Sequence, residues 1–381
     1  MAMGRTRSGW IAGCAAIVAI ASMAAAPVAN DAGGSPLTTI AAGGHPFTAL
    51  PSKDGSALFI SVVRDHGPNG ILVVHRSGGT YRAGAFVPVD GAPTGLALTP
   101  DGRTLLAGAD DRYAALSATA AERDDVPPIS YLRNRFTNGA IEVLPSADGT
   151  HAFFSNERDD SVGIVAIGAT ATGTPSLLFT GRIATEHLPV GMALSPDGAR
   201  LYVTSEIGFG RPEVCERGRH AGSVAVIDVA AATANPPTAA VLSTATAGCE
   251  AVRIAIAPDG LTAWVTLRGE NSLAAFDAAK LVSDPRHALL RKVRVGASPV
   301  GLALVRNGAL AFVTNSNRFD ASATNSTVDA VDTAAILSGG DAIVRSYPTG
   351  AFPRELREAP QHDVVYVTNY NSGTVEVIPI L

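Results

Sequence analysis

The chain is predicted to be all-β, a single seven-bladed β-propeller of four-stranded antiparallel blades, on three observations. First, a corner of Pro-Asp-Gly type recurs through it: Lys53-Asp54-Gly55, Pro100-Asp101-Gly102, Ala147-Asp148-Gly149, Pro196-Asp197-Gly198, Pro258-Asp259-Gly260, Arg306-Asn307-Gly308 and the degenerate Pro360-Gln361-His362. Self-similarity at a period of roughly 40 to 50 residues marks a propeller or a solenoid. Second, each copy carries strand-length apolar runs rich in Val, Ile and Tyr, separated by turn residues, which is the pattern of an antiparallel meander. Third, the two ends complement each other. The last copy stops near Ile380 after three strands, whereas Leu37 to Ala41 precedes the first corner and resembles outer strands such as Lys292 to Val295. The N-terminal segment is therefore expected to complete the last blade.

The fourth copy shows the elements in order. Gly191 to Ser195 forms the inner strand, Pro196-Asp197-Gly198 the corner, Arg200 to Thr204 the second strand, Ser223 to Asp228 the third, and Ala239 to Thr244 the outer one. A single meander cannot bury both of its faces. Stacking the sheets radially buries them and leaves only short protected edges. Successive strand residues face opposite ways, so Gly191 and Ala193 are expected to line the crowded channel while Met192 and Leu194 pack between blades. Gly95, Ala97 against Leu96, Leu98, and Gly301, Ala303 against Leu302, Leu304, repeat this alternation.

Residues 1–29 have the layout of a secretory signal: Arg5 and Arg7, an apolar alanine-rich run from Trp10 to Ala26, then small residues ending at Ala29. Residues 30–381 are assigned to the propeller. No later apolar stretch reaches the roughly 20 residues of a membrane span, and the exported chain is expected to be a monomer, secreted or periplasmic. Its 29 Lys and Arg against 34 Asp and Glu give a net charge of -5 without any basic run. Nucleic-acid binding draws its affinity from neutralised phosphates, which argues against that class of partner. Beyond the signal only Cys215 and Cys249 remain, an even pair in an oxidising compartment, and they are expected to form a disulfide.

Tyr366-Val367-Thr368-Asn369, echoed by Tyr202-Val203-Thr204-Ser205, Phe312-Val313-Thr314-Asn315 and Trp264-Val265-Thr266, resembles the YVTN-type β-propeller repeat family. The wider pattern is similar to YncE-like and seven-bladed lactonase-like propellers. Copies two and three depart from it, with Leu106-Ala107-Gly108-Ala109 and Phe153-Phe154-Ser155-Asn156 at that place. The resemblance implies the fold. It does not choose among surface, binding and enzymatic roles.

Lining up the copies locates a candidate site. At the place of Gly191 the seven copies read Thr48, Gly95, Glu142, Gly191, Arg253, Gly301 and Glu355, with Arg357 two residues further along the same strand. Glu142, Arg253, Glu355 and Arg357 are expected at the channel mouth, and the loops between second and third strands add Glu157, Glu206, Arg268, Asn315 and Asn369. The reading is a binding or scaffolding module holding a small polar ligand, a glycan or an envelope protein over the channel through charge-assisted hydrogen bonds. The alternative is a hydrolase of a lactone or related ester, as the lactonase-like resemblance suggests, with His45 and Glu355 as the base that activates water. No P-loop, GxSxG elbow, haem-attachment motif or regular metal-ligand spacing is present, so no cofactor or metal is assigned. Whether any reaction occurs is left open by the sequence.

Overall fold

In the computed structural model, residues 37–208, 215–216, 218–234, 240–318 and 326–380 are described. The expected signal segment lies outside them. Seven four-stranded antiparallel sheets form a ring, and the compact unit spans Leu37–Leu381. The closure expected from the sequence is formed: Thr38–Ala41 is the outer strand of blade seven, with Thr38 opposite Val377 and Ile40 opposite Val375.

Apolar side chains from facing sheets make the inter-blade cores. Phe59, Leu96, Leu105 and Leu116 join blades one and two, and Trp264, Leu302 and Val313 join blades five and six. The aromatic residue of the repeat sits in these layers: Tyr202, Trp264, Phe312 and Tyr366 are all buried. Fully burying a side chain of this class stabilises by about 1.5–3 kcal/mol. The connections between third and fourth strands include short helices, two of them begun by Asp228 and Asp332, whose carboxylates accept the amides of Ala231 and Ala335.

The corners are built alike where their sequence permits. Asp54, Asp101, Asp148 and Asp197 each accept a hydroxyl from Ser52, Thr99, Ser146 or Ser195 and a backbone N–H two residues on. This is the local bonding that makes aspartate a turn former. Blade five has Ala257 in the hydroxyl position, and Asp259 keeps only the amide of Leu261.

Strict alternation along the inner strand is overturned. All seven inner strands carry a register shift at the same place, between Pro189 and Met192 in blade four and between Pro353 and Leu356 in blade seven. Such a bulge inserts one residue, interrupts the ladder and re-aims side chains. Here it turns two consecutive residues toward the axis. The amide it frees is taken up by the second strand: the N–H groups of Thr48, Glu142, Gly191, Arg253, Gly301 and Glu355 donate to the hydroxyls of Ser61, Ser155, Thr204, Thr266, Thr314 and Thr368. In five blades the same hydroxyl donates onward to an inner-strand carbonyl of the next blade, as Thr204 does to Val252 at 2.7 Å and Thr368 to Phe47 at 2.8 Å. This is the physical work of the threonine in the repeat. Blade two has Gly108 there, and Thr94 makes the link from the inner strand, its hydroxyl donating to the carbonyl of Ala140 at 2.7 Å.

Candidate functional site

The bulge stacks two side-chain layers across the channel. Nearer the rim of the strand-joining loops is an apolar ring of Phe47, Ile141, Val190, Val252 and Val300, with Thr94 and Arg354 at the same strand position in blades two and seven. The next layer holds Thr48, Gly95, Glu142, Gly191, Arg253, Gly301 and Glu355. The three glycines alternate with the three charges for a steric reason. A Cβ on Gly95 would lie 2.7 Å from the Cα of Glu142, and one on Gly191 would lie 2.4 Å from the carbonyl oxygen of Val252 and 2.8 Å from the Cα of Arg253. Each charged strand thus approaches the backbone of a glycine neighbour.

Glu142, Arg253 and Glu355 are 3 %, 5 % and 3 % exposed, so their charges are withdrawn from water. The Arg357 guanidinium lies 2.6 Å from Glu355 Oε1 and 3.6 Å from Glu142 Oε1. Thr48 donates its hydroxyl to the other Glu355 oxygen, and Glu142 Oε2 accepts the amide of Met192 at 2.8 Å. Burial pushes the Glu142 carboxyl above its ordinary value, opposed by Arg253 and Arg357. Against burial, which pulls it down, Glu355 and Glu142 hold the Arg357 guanidinium above its ordinary value. Arg253 feels the field of Glu142 but makes no ion-pair contact among the described residues, and its Nε and Nη1 are buried without a hydrogen bond there.

All four charged residues line one cavity of about 350 Å³ whose walls are Met192, Leu194, Ile254, Ile256, Leu302 and Leu304. Arg357 also borders an adjoining cavity of about 450 Å³ reaching Ser52, Lys53, Pro145 and Pro360. Both extend toward the corner face. The charged layer therefore addresses the opposite end of the channel from the loop rim at which the sequence placed it, because the apolar ring stands between.

The remaining expected residues lie elsewhere. Arg268 forks onto Glu206 at 2.9 and 2.7 Å and turns its Nε to Glu250 at 3.1 Å, a nearly buried network on the loop rim. Glu157, half-buried near it, is pushed up by burial and by Glu206, opposed by Arg354, Arg158 and Arg318. Asn315 and Asn369 are buried, Asn315 donating to Thr327 and Asp329 on the next strand of its own blade and Asn369 accepting from Thr349 of the neighbouring blade. His45 and Glu355 share no hydrogen bond. His45 donates from Nδ1 to the Tyr370 carbonyl at 2.9 Å, faces Asp65 at 3.2 Å and stacks on Tyr370, whereas Glu355 is held by Thr48 and Arg357. Cys215 and Cys249 form the expected disulfide. Among the described residues no His, Cys, Asp and Glu group is arranged to hold a metal ion, and no helix is long and apolar enough to cross a membrane.

The residue that sequence reasoning missed is Arg354. Its guanidinium lies 4.9 Å over the Phe47 ring and 5.1 Å over the Phe352 ring. Aligning the position before the charged layer would have exposed it as the one cation in a row of apolar residues and a threonine.

No family model and no curated protein matches the chain. Solved structures do. The chain is similar to Kuenenia stuttgartiensis hydrazine synthase at 18% identity and a TM-score of 0.67, covering 92% of this chain and 99% of that one. It is similar to the β-propeller domain of Myceliophteria thermophila Cps50 (Swd1) at 11% identity and a TM-score of 0.64, covering 91% and 100%. A functionally unknown protein from Desulfotomaculum acetoxidans matches at 13% identity and a TM-score of 0.58, covering 85% and 89%. At these identities the likeness is one of fold.

Proposed function

We propose that the protein is an exported binding module, a YVTN-type propeller whose channel cavity takes a small polar ligand with Arg253 as its anchor. One observation carries this reading. A guanidinium only 5 % exposed, with Nε and Nη1 unbonded, faces a cavity of about 350 Å³ beside two carboxylates. A buried cation without a partner is costly, and an acceptor group on a ligand offsets that cost. Glu142 and Glu355 would receive hydroxyl or N–H groups of the same ligand, and the aliphatic walls would cover its carbon frame. Convergent polar groups in an otherwise apolar pocket are the usual composition of a small-molecule site. The disulfide suits an oxidising compartment, in keeping with export.

A lactone hydrolase would need an activated water. The pair nominated as its base is not assembled, since both nitrogens of His45 face other partners. The test is a thermal-shift screen of sugar acids and polyols, polar ligands without an apolar group, against the wild type and Arg253→Met. Compounds that raise the wild-type melting temperature should lose the effect in the variant. Hits that stabilise both equally, or a screen without hits, would count against the site.

A further inference from the structure

We propose that the loop rim carries a second binding site, on the other side of the apolar ring from the channel cavity, that takes a carboxylate attached to an apolar group, with Arg354 as anchor and Arg318 beside it. This goes beyond the channel site and does not depend on it.

Arg354 occupies a strand position that five other blades fill with Phe47, Ile141, Val190, Val252 and Val300. Its guanidinium is stacked by Phe47 and Phe352 and has neither hydrogen bond nor ion pair among the described residues. Stacking satisfies the faces of the guanidinium and leaves the in-plane N–H groups, the edge that matches a carboxylate with two parallel hydrogen bonds. Arg318, at the end of the second-to-third-strand connection's described part in blade six, is half-buried and likewise unpaired among the described residues.

The surrounding charges do not supply the missing partner. Glu206 and Glu250 are held by Arg268 and Arg219, and Glu270 by Lys292. Of the carboxylates that act electrostatically on Arg354 and Arg318, that leaves only Glu157 without an ion pair among the described residues. The electrostatics agree: burial, then Arg318, Arg253 and Arg268, push the Arg354 guanidinium well below its ordinary value, and burial and Arg268 lower that of Arg318 against Glu206, Glu157 and Glu250. One added negative charge balances the cluster, whereas a dianion would meet Glu157. The floor decides the rest of the ligand. The rings of Phe352 and Tyr370, half-buried and 6.2 Å apart beside the buried ring of Phe47, Ile141, Val190, Val252 and Val300, offer apolar area that a bare inorganic anion would leave wet.

Calorimetric titration of the full-length protein at neutral pH and low salt tests this, with benzoate as probe and benzamide and inorganic phosphate as controls. Benzoate should bind, benzamide should bind at least about tenfold more weakly, and Arg354→Met should weaken benzoate by about tenfold or more, since a tenfold change corresponds to one charge-assisted contact of about 1.4 kcal/mol. Arg354→Lys, which keeps the charge without the fork, should fall between, and Arg318→Met serves as an independent variant if Arg354→Met does not fold. Equal binding of benzoate and benzamide, benzoate unaffected by Arg354→Met and Arg318→Met, or phosphate binding as tightly as benzoate would each overturn the proposal. Loss of benzoate in Arg253→Met instead of Arg354→Met would assign the anion to the channel cavity.

Discussion

At one place in each inner strand the backbone and the side chain behave differently. Six of the seven backbone amides there donate to a second-strand hydroxyl at 2.7 to 3.1 Å. The side chains at the same positions are Thr, Gly, Glu, Gly, Arg, Gly and Glu. The backbone is uniform because the bulge frees an N–H in every blade, and a buried unbonded amide costs about 1–3 kcal/mol. The side chains face a shared space where no repeat-by-repeat requirement acts, so they are free to assemble one asymmetric site. In a repeat protein of this kind the fold is found where the copies agree, and the site where they differ.

The largest effect is expected from the asymmetric layer. Arg357 holds two nearly buried carboxylates, and removing one member of a buried charge cluster leaves the other uncompensated. Arg357→Met should lower the unfolding free energy by about 3 kcal/mol, read by urea denaturation. Adding Glu355→Gln should recover part of that loss, because the second change removes the stranded charge. A single variant as stable as the wild type would mean that water reaches these carboxylates freely, and the distinction between layer and scaffold would weaken.

The uniform scaffold gives the next effect. Thr204→Val keeps the shape of the side chain but leaves the Gly191 N–H and the Val252 carbonyl without their partner. The expected cost is about 2 kcal/mol, with Thr204→Ser close to the wild type. In blade two the role has moved to the inner strand, so Thr94→Val should behave like Thr204→Val. If Thr94→Val is silent, the link across that blade boundary is not equivalent to the other five.

Much of this scaffold was legible in the sequence. Asp-Gly corners announce themselves by residue type, and the closure by Leu37 to Ala41 follows from a strand missing at one end and surplus at the other. The threonine of the repeat was visible, but its purpose was not. The bulge that makes it necessary is a property of pairing register, and no composition encodes that directly. For the same reason Glu142, Arg253 and Glu355 were found by aligning the copies, while the end of the channel they face was misjudged. Alternation counted from Gly191 assigned the preceding residue to the inter-blade face, so Arg354, one step before Glu355, escaped notice. Asn315 and Asn369 were drawn toward the rim by their place after the second strand. Their amides instead reach Asp329 on the neighbouring strand and Thr349 on the neighbouring blade, contacts between strands that local sequence does not display.

The smallest effects are those of single titrations, and here the two regions should differ in sign. At the corners, the Ser146 hydroxyl and the Thr150 amide hold the Asp148 carboxyl below its ordinary value. A lowered carboxyl contributes stability that is present above the unfolded value and lost as pH falls through the folded one. Glu142 is the reverse case. Burial raises it, so the folded protein holds that proton more tightly, and its contribution is complete below the unfolded value and lost as pH rises through the folded one. Urea unfolding followed from about pH 3 to pH 8, a range spanning carboxylate titration, separates the two by difference from the wild type. Asp148→Asn should match the wild type in acid and fall behind it toward neutrality, whereas Glu142→Gln should gain on the wild type as pH rises. Slopes of the same sign would show that Glu142 is ionised at little cost, its charge carried by Arg253 and Arg357 together, and Arg253 would then no longer be a guanidinium waiting for a ligand.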